Sequence, residues 1–118
     1  MKQGTICVQG AYRPKNGEPR VLPIVQSTTY KYDSSVEMGD LFDLKKSGYF
    51  YSRLQNPTND TVAAKITMLE GGVAGMLTSS GQAANFYAVF NIAQAGDHIV
   101  ASKTIYGGTY NLLEHTLP

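Results

Sequence analysis

Cysteine is almost absent. Cys7 stands alone, so no internal disulfide can form, and the chain suits a reducing compartment. Cys7, His98 and His115 show no ligand spacing, so no metal centre is expected. Charge is also scarce: charged residues make up 16% of the chain and the net charge is +1. With no basic stripe or run, a nucleic-acid partner has no electrostatic support. No segment approaches the ~20 consecutive apolar residues of a membrane span. The stretch Met1–Thr5 carries no apolar run of signal-peptide length, and a cytoplasmic protein is the default expectation. Disorder is excluded by a hydrophobic content of 42%, and 118 residues suit one small domain.

The first part of the chain has little core character. From Gly4 to Tyr32 it is polar and interrupted by Gly10, Pro14, Gly17, Pro19 and Pro23. No helical or alternating period survives there, and Pro14–Pro19 is turn chemistry. Val21–Tyr32 is richer in β-branched and aromatic residues, but Pro23 argues against a central strand. An arm lying over another surface is expected; a mobile terminus is the plainer alternative. Ser34, Ser35 and Glu37 then start a short helix whose apolar face is Met38, Leu41, Phe42 and Leu44, with Gly48 as its stop. A second helix opens at Pro57 with Thr58 or Asn59 as its cap. It places Val62, Ile66 and Leu69 on one buried face and ends at Gly71-Gly72.

Between these helices lies Tyr49-Phe50-Tyr51-Ser52-Arg53. Three aromatics and an arginine form either a packing cluster or a phosphate clamp. In the second reading the Tyr51 hydroxyl and the Arg53 fork take the anion, a task a planar guanidinium performs better than a lysine.

The most informative stretch runs from Val73 to Tyr110. Val73–Thr78 is short and apolar, as a strand covered on both faces would be. Ser79-Ser80-Gly81 leads into a helix from Gln82 to Ala93, with Ala83, Phe86, Phe90 and Ala93 on one face. A second strand-like segment, His98–Ala101, delivers Lys103–Tyr106, and Thr109 caps a final helix, Tyr110–Leu117. This order is a βαβ unit. Parallel strands would bring Ser79-Ser80-Gly81 and Lys103–Tyr106 to the same sheet edge, where open α/β sheets bind ligands. The helix start offers unpaired N–H groups to an anion and Tyr106 offers a ring. An anionic group attached to a flat ring would fit both. The Gly-x-Gly-x-x-Gly and Gly-x-x-x-x-Gly-Lys-Ser/Thr nucleotide motifs are absent. Lys103 puts an amine at this edge, yet it lies three residues before Tyr106, and a stacking ring and a lysine bonded to the ring's substituent must approach from different sides. His98 and Asp97 are expected to have no chemical role.

Four motifs carry a resemblance. Tyr51-Ser-Arg-Leu-Gln-Asn-Pro-Thr58, Leu69-Glu-Gly-Gly72, Ser79-Ser-Gly-Gln-Ala-Ala84 and Ile105-Tyr-Gly-Gly-Thr109 together resemble the amino-terminal part of the Cys/Met-metabolism family of pyridoxal-phosphate (PLP) enzymes. Within it the likeness is greatest to O-acetylhomoserine sulfhydrylases, whereas methionine γ-lyases tend to carry a cysteine where this chain has Gly108. The resemblance implies an α/β fold of type I, like aspartate aminotransferase. Residues 1–60 would be an arm contacting a neighbouring subunit, and residues 61–118 the start of the large PLP-binding parallel-sheet domain. It implies that the N–H groups of Gly81 and Gln82 hold the cofactor phosphate and that Tyr106 stacks on the pyridine ring and assists leaving-group departure. Tyr51 and Arg53 would reach the phosphate of the neighbouring subunit's cofactor. A homo-oligomer, with dimers pairing into tetramers, is implied, as is a small amino-acid substrate. The family's Schiff-base lysine, its pyridinium-pairing aspartate and its substrate-carboxylate arginine have no counterpart here. The expectation is therefore an amino-terminal fragment, inactive alone, of a γ-replacement enzyme. A γ-lyase or γ-synthase of the same family is the alternative, and a non-catalytic phosphate-binding or oligomerisation module is the alternative of another class.

Overall fold

Helices carry the regular structure in the computed structural model, which describes residues Met1–Pro118. They are α1 (Gln3–Gln9), α2 (Ser35–Phe42), α3 (Pro57–Glu70), α4 (Gly81–Phe90) and α5 (Gly107–Asn111), the last continuing into a π-helical turn, Leu112–Thr116. Two compact units, Met1–Met76 and Leu77–Pro118, contain them.

In the first unit α3 is the longest element. Its cap is Asn56, one residue before the proline and not Thr58 or Asn59 as expected: the Asn56 Oδ1 accepts from the Thr58 N–H at 2.9 Å, and Pro57 takes the first helical position. Gly71 ends it in the left-handed conformation at φ 65°. The face expected to be buried is not. Val62 and Ile66 are exposed, and Ala63 is the buried residue, because the segment after Gly72 lies across the Ala63–Thr67 side. That approach is close: a Cβ on Gly75 would stand 2.5 Å from the Thr67 Oγ1 and 3.2 Å from the Ala63 carbonyl oxygen.

α1 was not foreseen in the broken opening stretch. It has no side-chain cap and no apolar period. Seven residues that include glycine and β-branched side chains do not hold a helix by propensity. Packing against α3 holds it, with Lys65 Nζ donating to the Cys7 carbonyl at 3.2 Å. The turn at Lys15–Glu18 forms as expected, closed by the Glu18 N–H to the Lys15 carbonyl, with Gly17 at φ 82°. α2 begins where expected, with the Ser34 Oγ accepting from the Glu37 N–H at 3.1 Å. It stops at Phe42, so Leu44 leaves its face, adopting φ 56° and full exposure beyond it. Leu41 is buried, with the Gly48 backbone packed on it.

In the second unit α4 is capped by Ser80 and covers most of the expected span. The closing helix starts earlier than expected, at Gly107 with Tyr106 as its cap, and widens to π geometry from Leu112. Leu112 is its buried residue.

Neither expected strand forms a ladder. No backbone hydrogen bond involves Val73–Thr78 or His98–Ala101, and the one antiparallel bridge joins Thr29 to Tyr51. A strand exists by pairing, and each of these segments lacks a neighbour to pair with in this chain. The core is correspondingly thin: Leu41, Ala63 and Leu112 are the buried apolar residues. The chain exposes 9744 Å², whereas a folded monomer of its 12.8 kDa mass exposes about 6300 Å².

Candidate functional site

The helix start at Ser80 is the first half of the chemistry. Ser80 is extended, and its Oγ accepts from the Ala83 N–H at 3.0 Å while its carbonyl accepts from Ala84 at 3.1 Å. Thr78 Oγ1 donates to that same carbonyl at 2.9 Å, fixing the turn. The N–H groups of Gly81 and Gln82 are left without an acceptor in the chain. A Cβ built on Gly81 would meet nothing within 4 Å. Two unpaired donors on exposed residues therefore stand at the positive end of a ten-residue helix, an arrangement that favours a phosphate or carboxylate.

Side chains of α4 tie this turn to the start of α5. Gln82 Nε2 donates to the Gly108 carbonyl at 2.9 Å, and Asn85 Nδ2 donates to Thr109 Oγ1 at 2.9 Å. Tyr106 sits at the cap of α5, 75% exposed, with its ring folded against the first turn. A Cβ on Gly108 would lie 2.6 Å from the Tyr106 Cε1, so the missing side chain at 108 is what admits the ring. The structure thus brings Gly81, Gln82 and the Tyr106–Thr109 segment into one connected group. The bridging role of the Gln82 amide was not anticipated from sequence; only its N–H was. Lys103 lies elsewhere. It lines an apolar cavity of about 880 Å³ with Phe86, Phe90, Ile105 and Leu113, a cavity to which Gly81 and Tyr106 do not contribute.

Tyr51 and Arg53 belong to the first unit. Residues 51–54 form a turn, with the Leu54 and Gln55 N–H groups both donating to the Tyr51 carbonyl. The Arg53 guanidinium lies over the Tyr51 ring, 5.1 Å from its centroid. Arg53 is exposed and is in none of the chain's ion pairs, which are Lys31–Asp33, Lys45–Asp43 and Lys46–Asp40. Its charge is therefore available to an external anion. Nearby, burial first and the Asp60 carboxylate second push the Tyr49 hydroxyl above its ordinary pKa.

The turn is held by a residue whose part sequence reasoning missed. Asn56 is the buried polar residue of the chain. Its Nδ2 donates to the Val25 carbonyl at 3.1 Å, to Ser52 Oγ at 3.0 Å and to the Tyr30 hydroxyl at 3.4 Å. Ser52 Oγ donates in turn to the Ser27 carbonyl, and the Ser52 N–H donates to the Thr28 carbonyl at 2.9 Å. The Asn-Pro step was the available signal, since asparagine before a first-turn proline is a strong helix cap.

No group of His, Cys, Asp and Glu side chains is placed to hold a metal ion, and no helix is long and apolar enough to cross a membrane.

Unpaired N–H donors at one helix start and an aromatic ring at another, tied together by Gln82 and Asn85, are elements that could recognise a phosphorylated aromatic cofactor. The profile of the Cys/Met metabolism PLP-dependent enzymes matches residues 4–118. The O-acetyl-L-homoserine sulfhydrylase of Leptospira meyeri is 43% identical over 118 residues, 99% of this chain and 27% of that protein. The L-methionine gamma-lyase of Treponema denticola is 46% identical over 95 residues, 80% of this chain and 24% of that one. A crystal structure of an O-acetylhomoserine (thiol)-lyase from Campylobacter jejuni, which carries N'-pyridoxyl-lysine-5'-monophosphate, superposes with a TM-score of 0.89. It is 38% identical, with coverage of 99% of this chain and 29% of that one. This chain belongs to the Cys/Met metabolism family of PLP-dependent enzymes. It spans about a quarter of the length of these relatives.

Proposed function

We propose that the protein of which these residues form a part is a PLP-dependent O-acetylhomoserine sulfhydrylase. It would replace the acetate at the γ-carbon by sulfide or a thiol, giving homocysteine or methionine. The observation that carries this reading is the connected group at α4 and α5: two free N–H donors at the α4 start, tied by the Gln82 amide to the turn that carries the Tyr106 ring. The likeness to the Leptospira sulfhydrylase across the whole chain supports the substrate class.

PLP, when bound, supplies an electron sink for the carbanions of the reaction. The residues present fit it. The Gly81 and Gln82 N–H groups would accept its phosphate at the helix start, where the macrodipole adds to the hydrogen bonds. Tyr106 would stack on its ring and assist the leaving group. Tyr51 and Arg53 would take the phosphate of a neighbouring subunit's cofactor, which makes the protein a homo-oligomer, a dimer or a dimer of dimers. The surface exposed beyond that of a compact monomer, roughly 3400 Å², is available to further strands and to a neighbouring subunit. In this reading Val73–Thr78 and His98–Ala101 are strands of a parallel sheet completed by further strands, residues 1–60 are the arm, and the location is cytoplasmic.

The test is product analysis on the full-length protein. O-acetylhomoserine with sulfide should yield homocysteine and acetate, and sedimentation should give a dimer or tetramer. Cleavage of methionine with O-acetylhomoserine inert would instead establish a γ-lyase, the reading favoured by the likeness to the Treponema enzyme.

A further inference from the structure

Asn56 has more polar partners than a helix cap requires. A cap needs an acceptor for an N–H of the first turn, and the Asn56 Oδ1 supplies it to Thr58. The amide nitrogen of the same side chain is spent on the opposite side, on the Val25 carbonyl and Ser52 Oγ. Val25 is bound a second time, its N–H donating to Thr58 Oγ1 at 2.9 Å. One buried side chain thus joins three pieces of chain: the start of α3, the Val25–Thr29 strip and the Tyr51–Leu54 turn. Arg53 is one residue from the Ser52 hydroxyl at the centre of this junction, yet its own side chain is bound only by the Tyr51 ring.

We propose that Asn56, acting through Ser52, is a positioning residue that fixes the Tyr51–Arg53 turn so that the guanidinium and the phenol present themselves together to a phosphate. The proposal rests on the reading of Tyr51 and Arg53 as a cofactor-phosphate clamp. Without Asn56 the turn keeps its own bonds to the strip, the Ser52 N–H to Thr28 and the Ser52 Oγ to Ser27, but loses the tie to Val25 and to the start of α3. Each further bond left unmade at a buried site loses both its own contribution and the solvation of the group left behind.

Asn56→Asp separates the two duties of the residue. It keeps the oxygen that caps α3 and turns the bridging donor into an acceptor facing the Val25 carbonyl. Ser52→Ala breaks the same junction from the other side without adding charge. Two readouts are taken on the full-length protein. Amide exchange at Ser52, whose N–H is bonded to Thr28, reports the turn, with the mid-α3 amides as internal standard. Titration with PLP reports the clamp. Arg53→Ala should weaken PLP binding by roughly tenfold, as loss of a charge-assisted bond does. Asn56→Asp and Ser52→Ala should each speed Ser52 exchange relative to α3 and weaken PLP binding several-fold. In a Tyr51→Phe, Arg53→Ala background Asn56→Asp should add little, because Asn56 acts only through those two contacts.

Unchanged Ser52 exchange in both variants overturns the proposal. So does faster exchange with unaltered PLP affinity while Arg53→Ala weakens it, since Asn56 is then structural only. Unaltered affinity in Arg53→Ala sinks the clamp reading itself, and the positioning role falls with it.

Discussion

Tyr49 and Gly108 show how single side chains set local chemistry here. The Tyr49 hydroxyl is held protonated above its ordinary value by burial and by the Asp60 carboxylate. The unfolded chain ionises this group near pH 10, before the folded one does. Its stabilising contribution is therefore complete below about pH 10 and disappears as pH rises through the raised folded value. Alkaline unfolding of Tyr49→Phe, followed by circular dichroism, should lack that part of the decline. Gly108 is a different case. A Cβ there meets the Tyr106 ring at 2.6 Å, but that ring is 75% exposed and free to swing. Gly108→Ala should therefore change the near-ultraviolet tyrosine signal while the melting temperature stays within a few degrees of the parent.

At the scale of elements, α3 and the segment crossing it offer the sharpest test. Thr67 Oγ1 already donates to the Ala63 carbonyl at 2.8 Å. A methyl at position 75 would fall between these two atoms, and neither is the end of a flexible side chain. Gly75→Ala should destabilise the first unit by about 1–3 kcal/mol, the usual cost of overpacking, as measured by urea unfolding. α2 and α4 were legible in sequence from their serine caps, Ser34 and Ser80, and α3 from the proline that opens it, although its cap is Asn56 and not a residue after the proline. Their existence did not depend on anything distant. α1 was illegible because α3, more than forty residues later, supplies its packing. The buried side of α3 was misassigned for the same kind of reason. Val62, Ile66 and Leu69 form the more apolar stripe, yet glycine lets a backbone cover Ala63 instead. Of the candidate site, the free donors of Gly81 and Gln82 could be read from the serine-rich helix start. The Gln82 bridge to Gly108 and the Asn56 bond to Val25 could not, since they join residues 26 and 31 positions apart.

For the molecule as a whole, the missing ladders matter most. With no backbone partner for Val73–Thr78 or His98–Ala101, their amides should exchange at nearly the rate of an unstructured chain while those of mid-α3 are protected. Hydrogen exchange read by mass spectrometry on these 118 residues checks this. Protection in both segments would show that they pair, and would support an independent phosphate-binding or oligomerisation module.

The Asn56 junction also bears on the order in which the chain acquires structure. Its bonds to Val25 and the Val25 bond to Thr58 close loops of 31 and 33 residues. A ribosome adding about 5–20 residues per second takes roughly 2–6 seconds to make that interval. The Thr28 end of the Val25–Thr29 strip meets the Ser52 N–H first, and its Val25 end is left without a partner until Asn56 and Thr58 follow. Docking of the Val25 end and initiation of α3 await the same asparagine, so these two events are timed together during synthesis.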